Sequence, residues 1–183
     1  DATHSVETNY TTTQTGWQLA TWDFTQQAAG TAAFNDSFTF DKASIFYDFT
    51  CGAADTFTPG SQWILDNLTY PLHNLTGSSP SSPTVEGFEN AQNSGFGNNV
   101  SSVVENSGAH TMVTTRGGDC WSGTTIETLP AGQEFIATGT GTTITAALNS
   151  PVAGAVVKLK LEDSTDATHS VETNYTTTQT GWQ

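Results

Sequence analysis

The sequence predicts an all-β protein, and three observations carry the prediction. The patterned stretches are written in Thr, Val, Phe, Tyr and Trp, with 34 Thr among 183 residues, and these residues suit a pleated, half-buried surface. Charged residues make up only 12%, about half of an ordinary globular share, so the helix formers Lys, Arg and Glu are scarce. Apolar and polar residues alternate in about ten short runs separated by turn residues, with no helical period.

A repeat organises the rest. Residues 1–18 and 166–183 both read DATHSVETNYTTTQTGWQ, identical at every position. Such a duplication reads as one 165-residue period, plus overlap, of a near-identical tandem array. The folded unit does not begin at residue 1. Residues 156–162 alternate as a strand, 163–166 read as a turn, and 169–177 return, so 156–177 reads as a hairpin with Asp1 equivalent to a place inside its turn. Residues 72–83 are rich in Pro and Ser, the composition of a semi-rigid spacer. The expected organisation is therefore 1–71 as the C-terminal half of one domain, 72–83 as a linker, and 84–183 as the N-terminal half of the next.

In that order the expected strands are 84–89, 100–105, 110–115, 121–128, 142–148, 156–162, the Thr-rich return, 17–24, 43–49 and 62–70. Gly117-Gly118, Pro130-Ala131-Gly132 and Pro151–Gly154 punctuate them. Within 17–24, Trp22 alternates with Ala20 and Phe24 and is expected in the core. This many short strands predict a jelly-roll β-sandwich, one per repeat and completed across adjacent repeats.

Composition narrows the function. Eighteen acids against four Lys+Arg give a net charge of -14, which excludes a nucleic-acid partner and an anionic lipid surface. No run approaches the roughly 18 apolar residues of a membrane helix. The opening Asp1-Ala2-Thr3 is what a mature fragment or a window on a longer chain would show. Low charge with abundant Thr and Gly points to an extracellular location. Cys51 and Cys120 each lie in a turn beside a strand, and an oxidising compartment predicts that they form a disulfide. If successive repeats complete each domain, Cys120 would pair with the next repeat's copy of Cys51. Acceptor sequences for N-glycosylation occur at Asn9, Asn35, Asn67, Asn74, Asn99 and Asn174. Catalysis finds no support: Glu105 and Glu127 are unfixed in separation, and His4, His73, His110 and His169 lack nucleophile or metal-ligand spacing.

In the permuted order, six stretches resemble the carbohydrate-binding jelly-roll modules of secreted bacterial glycan-active proteins. They are 85–89 (VEGFE), 120–125 (CWSGTT), 156–163 (VVKLKLED), 16–25 (GWQLATWDFT), 41–49 (DKASIFYDF) and 63–70 (WILDNLTY). The resemblance implies a two-sheet sandwich, a structural calcium held by Glu89 and Asp66, and a glycan face built on Trp17, Trp63 and Trp121 with Tyr47 behind them. Taken with the repeat, the expectation is a non-enzymatic structural repeat of an extracellular fibre or adhesin stalk, whose partners are identical neighbouring copies and, through a retained glycan face, polysaccharide. The alternative is a carbohydrate-binding module that targets a secreted enzyme to polysaccharide.

Overall fold

The computed structural model describes residues 17–26, 31–51, 56–77, 82–88, 94–106 and 109–177. Thirteen strands follow in chain order: β1 (Trp17–Asp23), β2 (Lys42–Phe46), β3 (Gln62–Tyr70), β4 (His73–Asn74), β5 (Thr84–Glu86), β6 (Ser94–Phe96), β7 (Val100–Asn106), β8 (Ala109–Thr115), β9 (Gly123–Thr128), β10 (Gln133–Glu134), β11 (Thr143–Asn149), β12 (Val156–Asp163) and β13 (Asp166–Thr176). The described residues contain no helix. The chain is all-β, and its paired strands run antiparallel.

The first sheet has the order β1-β11-β3-β8-β7, with β5 on β3, and the second has the order β13-β12-β2-β9-β6. A small third sheet joins β4 to β10. Alternation along each strand decides which side chains enter the core. Ala20 and Trp22 point inward from β1, Ala43 and Ile45 from β2, and Val157, Leu159 and Leu161 from β12. Rings join the two main sheets across this core. Tyr47, just past β2, stacks on Trp63 of β3 with centroids 5.2 Å apart. Trp22 meets Tyr175 edge-on at 6.1 Å, and its indole N–H donates to the Val157 carbonyl at 3.0 Å.

Within this chain the two expected halves pair with each other. β1 lies along β11 from Trp17↔Asn149 to Asp23↔Thr143. β2 sits between β12 and β9, and β3 between β11 and β8. β2 and β3 are central strands whose backbone groups need partners on both edges, and residues 84–177 supply all four neighbours. The expected linker is also part of the fold: β4 pairs with β10, Leu72 packs on the core, and β5 returns along β3 at Tyr70↔Thr84.

The repeated segment is used in two places. Its second copy forms β13, in eight register pairs with β12. The last two residues of its first copy, Trp17 and Gln18, open β1. The two places adjoin, because the Tyr175 hydroxyl donates to Gln18 Oε1 at 2.7 Å. Residues 1–16 and 178–183 lie outside the described residues.

Cys51 and Cys120 are joined within the chain, with sulfurs 2.09 Å and Cα atoms 5.0 Å apart. Pairing with another repeat's cysteine is therefore not the arrangement here, because β2 and β9, which lead to the two turns, are neighbours in one sheet. Beside this bond lies Arg116, the chain's one arginine, almost fully buried. Its guanidinium donates to five backbone carbonyls: Tyr47 at 2.9 Å, Gly117 at 2.6 Å, Asp119 at 3.1 Å, Asp48 at 3.3 Å and Cys120 at 3.4 Å. It also lies 4.0 Å from the centroid of the Phe57 ring.

Candidate binding face

The second sheet turns one face to the core and builds a continuous track of side chains on the other. Lys158, Lys160 and Glu162 alternate with the inward Val157, Leu159 and Leu161, so they share this outer face. Register brings Glu172 opposite Lys160, Asn174 opposite Lys158, and Phe46 opposite Lys158 on the other side. All three lysines of the chain stand here. Lys42 Nζ lies 3.2 Å from Glu162, Lys160 Nζ 2.7 Å from Glu162 and 3.6 Å from Glu172, and Lys158 Nζ 2.8 Å from Glu172.

The track then becomes aromatic. Lys158 Nζ lies 3.8 Å from the centroid of the Phe49 ring, in cation–π geometry. Phe49 is held there by its backbone N–H, which donates to the Val156 carbonyl at 2.9 Å. Phe49 meets Phe46 at 5.9 Å, Phe46 meets Phe96 at 5.4 Å, and Phe96 lies parallel to Trp121 at 6.4 Å. Gly123 makes the middle of this row possible. A Cβ there would stand 2.5 Å from Phe96 Cζ and 2.9 Å from Phe46 Cδ1. Trp121 ends the track with 52% of its surface exposed.

Electrostatics follow from this crowding. Burial pushes the Glu162 carboxyl up, but the hydrogen bond and charge of Lys160, with Lys42 behind, outweigh it and hold Glu162 below the usual carboxylate range. Near the far edge, the Thr165 hydroxyl and backbone hold the Asp163 carboxyl down. His169 lies 3.5 Å from Asp163 and stacks on Phe38 at 3.9 Å. Elsewhere, burial first and then the Glu86 charge raise the Glu127 carboxyl.

The residues expected to bind glycan part company. Trp121 stands on the exposed end of the track. Trp17 is half-buried at the start of β1, on the other sheet. Trp63 and Tyr47 are fully buried against one another, so the expectation that they form a glycan platform is corrected: neither ring has a face open to a ligand. Their alternation with Leu65 and Ile45 places them on the core side. No family model, curated protein or solved structure matches the chain. The track therefore has to be read from its own chemistry.

The expected calcium pair is half in view. Asp66 sits on β3, where one carboxylate oxygen accepts from the Asn67 backbone N–H at 2.8 Å, and Glu89 lies outside the described residues. Among the described residues, no three acids, histidines or cysteines cluster as metal ligands, and calcium takes six to eight oxygens. The described residues do not assemble that site.

The glycosylation sequences divide by burial. Asn35 and Asn67 are exposed, Asn74 is half-buried in β4, and Asn9 lies outside the described residues. Asn99 and Asn174 are buried. Asn99 accepts from the Gly117 N–H at 2.7 Å and donates to Thr124 at 3.4 Å. At 6% and 5% exposed, neither side chain has room for a glycan in the folded chain, so the expectation at these two positions is corrected. Of the acids weighed for catalysis, Glu105 lies on β7 and Glu127 on β9, in different sheets. His73 holds the small sheet together through Glu134 at 2.6 Å.

Sequence reasoning reached Trp121 but missed the rest of the track, because its members come from β13, β12, β2, β9 and β6. The available signal was the clustering of two lysines in the alternating run 156–163.

Proposed function

We propose that the 165-residue period of this sequence is a structural unit of an extracellular fibre or adhesin stalk, a jelly-roll sandwich that assembles by strand sharing between copies. The observation that carries this reading is the use of the repeated segment. Residues 166–176 fill the edge of the second sheet as β13, and the same sequence recurs at the other end of the chain. Residues 1–11 thus have the side chains that the β13 position accepts, and a neighbouring copy can supply them. Strand addition to an open edge gains main-chain hydrogen bonds from pairing and specificity from alternate side chains. The jelly-roll assignment is supported by sheet neighbours distant in sequence, β1 beside β11 and β2 between β9 and β12.

The test compares residues 1–165 with the full chain by electron microscopy and size-exclusion chromatography. The shorter chain has no strand for the β13 position and is expected to form filaments by accepting a neighbour's N-terminal segment. The full chain, with that position filled, is expected to remain monomeric. A monomeric, stably folded 1–165 would overturn the reading.

A second reading, a carbohydrate-binding module, is favoured by the half-exposed Trp121 beside Phe96 and Phe46, since ring faces stack on sugar C–H surfaces. Affinity electrophoresis in polysaccharide gels tests it: retardation abolished by Trp121→Ala supports it, and no retardation in any gel rejects it.

A further inference from the structure

We propose that Lys158 and Asn174 form an intramolecular isopeptide bond, with Glu172 as the proton-transfer residue. Lys158 and Asn174 are directly opposed on β12 and β13. Directly opposed residues of an antiparallel pair carry Cβ atoms about 4.5–5.5 Å apart on the same face, a gap that a lysine side chain spans. Glu172 lies two residues before Asn174, on the same face, with Oε2 2.8 Å from Lys158 Nζ. Both prospective partners are about 5% exposed. The Phe49 ring covers Nζ on one side, and Asn174 Oδ1 is buried with no hydrogen-bond partner. A buried amide oxygen left open is an unusual cost in a folded chain, and it is the atom on which negative charge would develop during attack on Cγ.

The chemistry balances without a co-reactant. The Lys158 ammonium passes a proton to the Glu172 carboxylate across their ion pair, leaving a neutral amine and a carboxylic acid. The Nζ lone pair attacks Asn174 Cγ and forms the N–C bond, while the Glu172 carboxyl donates to Oδ1. Glu172 then relays a proton from Nζ to Nδ2. The Cγ–Nδ2 bond breaks, and ammonia leaves, taking up the remaining proton as ammonium. The products are a secondary amide between β12 and β13 and an ionised Glu172, with nothing oxidised or reduced.

The experiment is intact-mass spectrometry of the purified full chain, followed by digestion and peptide sequencing. The expected mass is that of the sequence less the two hydrogens of the disulfide and less one ammonia, with a branched peptide joining Lys158 to Asn174. Lys158→Arg and Glu172→Gln each retain a polar side chain on the face and are expected to restore the lost ammonia. Asn174→Asp is expected to form the same bond by losing water, so its product has the wild-type mass. A folded wild-type chain whose mass lacks only the two disulfide hydrogens would overturn the proposal. This outcome is independent of filament formation. If the fibre reading also holds, Asn9 occupies the Asn174 position in assembled 1–165, and boiling in detergent would leave a covalent ladder. A mass loss in the full chain without that ladder rejects the fibre linkage alone.

Discussion

Replacing Arg116 with Met keeps length and apolar contact while removing every donor. Five backbone carbonyls then lose this donor, at distances from 2.6 to 3.4 Å, while the Asp119 carbonyl keeps the Ser122 N–H at 3.0 Å. A buried acceptor left open costs about 1–3 kcal/mol, and the longer contacts, at 3.1 Å and above, contribute at the low end. Each hydrogen bond to a charged donor is worth about 1.5–3 kcal/mol, and with local relaxation sharing part of the loss we take about 3–5 kcal/mol for Arg116→Met. For a chain of this size each kcal/mol shifts the midpoint by roughly 2–4 °C, so a loss of about 10 °C is expected. Urea unfolding followed by tryptophan fluorescence, with the disulfide intact, measures the change. Arg116→Lys should recover little, because an ammonium cannot reproduce the planar fork. The Cys120 carbonyl is one acceptor, so removing the disulfide and the arginine together should give a non-additive loss. A cost below about 1 kcal/mol for Arg116→Met would refute the idea that these carbonyls depend on it.

Further expectations follow from the glycines, the disulfide and the acids. Replacing Cys51 and Cys120 with Ser opens a loop of 69 residues, which chain entropy values at about 4 kcal/mol, and urea midpoints with and without the bond measure it. Gly123→Ala places a methyl against the Phe96 and Phe46 rings at a cost of about 1–3 kcal/mol, and should change near-ultraviolet dichroism and Trp121 emission. Gly117→Ala, whose Cβ would meet the Gly97 and Asn98 backbone, should cost more, because backbone yields less than a ring. The acids give opposite pH signs. Glu162 is held below its ordinary value, so its stabilising contribution is present above the unfolded carboxyl range and lost as pH falls through its folded value. Glu162→Gln should flatten the acid limb of a stability–pH curve. Glu127 is raised, so its contribution is present in acid and lost as pH rises through its folded value, and Glu127→Gln should stabilise at neutral pH.

Much of the strand pattern is legible in the sequence because burial imposes a period of two. Residues 62–70 coincide with β3, and 100–105, 110–115 and 156–162 fall within one residue of β7, β8 and β12 at each end. The short strands β4, β6 and β10 are not legible, since two or three residues carry no period, and Gly95 and the prolines around β4 argue locally against pairing. The chain partners of β2 and β3 are equally invisible, because alternation fixes which face is buried but not which strand lies beside it. Ring orientation was available at Trp63 and Tyr47 from their alternation with Leu65 and Ile45. The track from Lys42 to Trp121 was not, as it depends on five strands meeting in one order.

A strand seated on a single neighbour resists force according to its direction. β13 is an edge strand, and its pairs with β12 run from Val156↔Thr176 to Asp163↔Asp166. Force along the strand axis loads all these rungs in shear, so they must fail together. Force applied across the strand at one end peels them singly, each break exposing the next. In a fibre joined end to end through this strand, axial tension falls on the shear geometry. Such a junction would hold under extension, and a covalent rung at the Lys158↔Asn174 pair would stop sideways peeling from running the length of the strand.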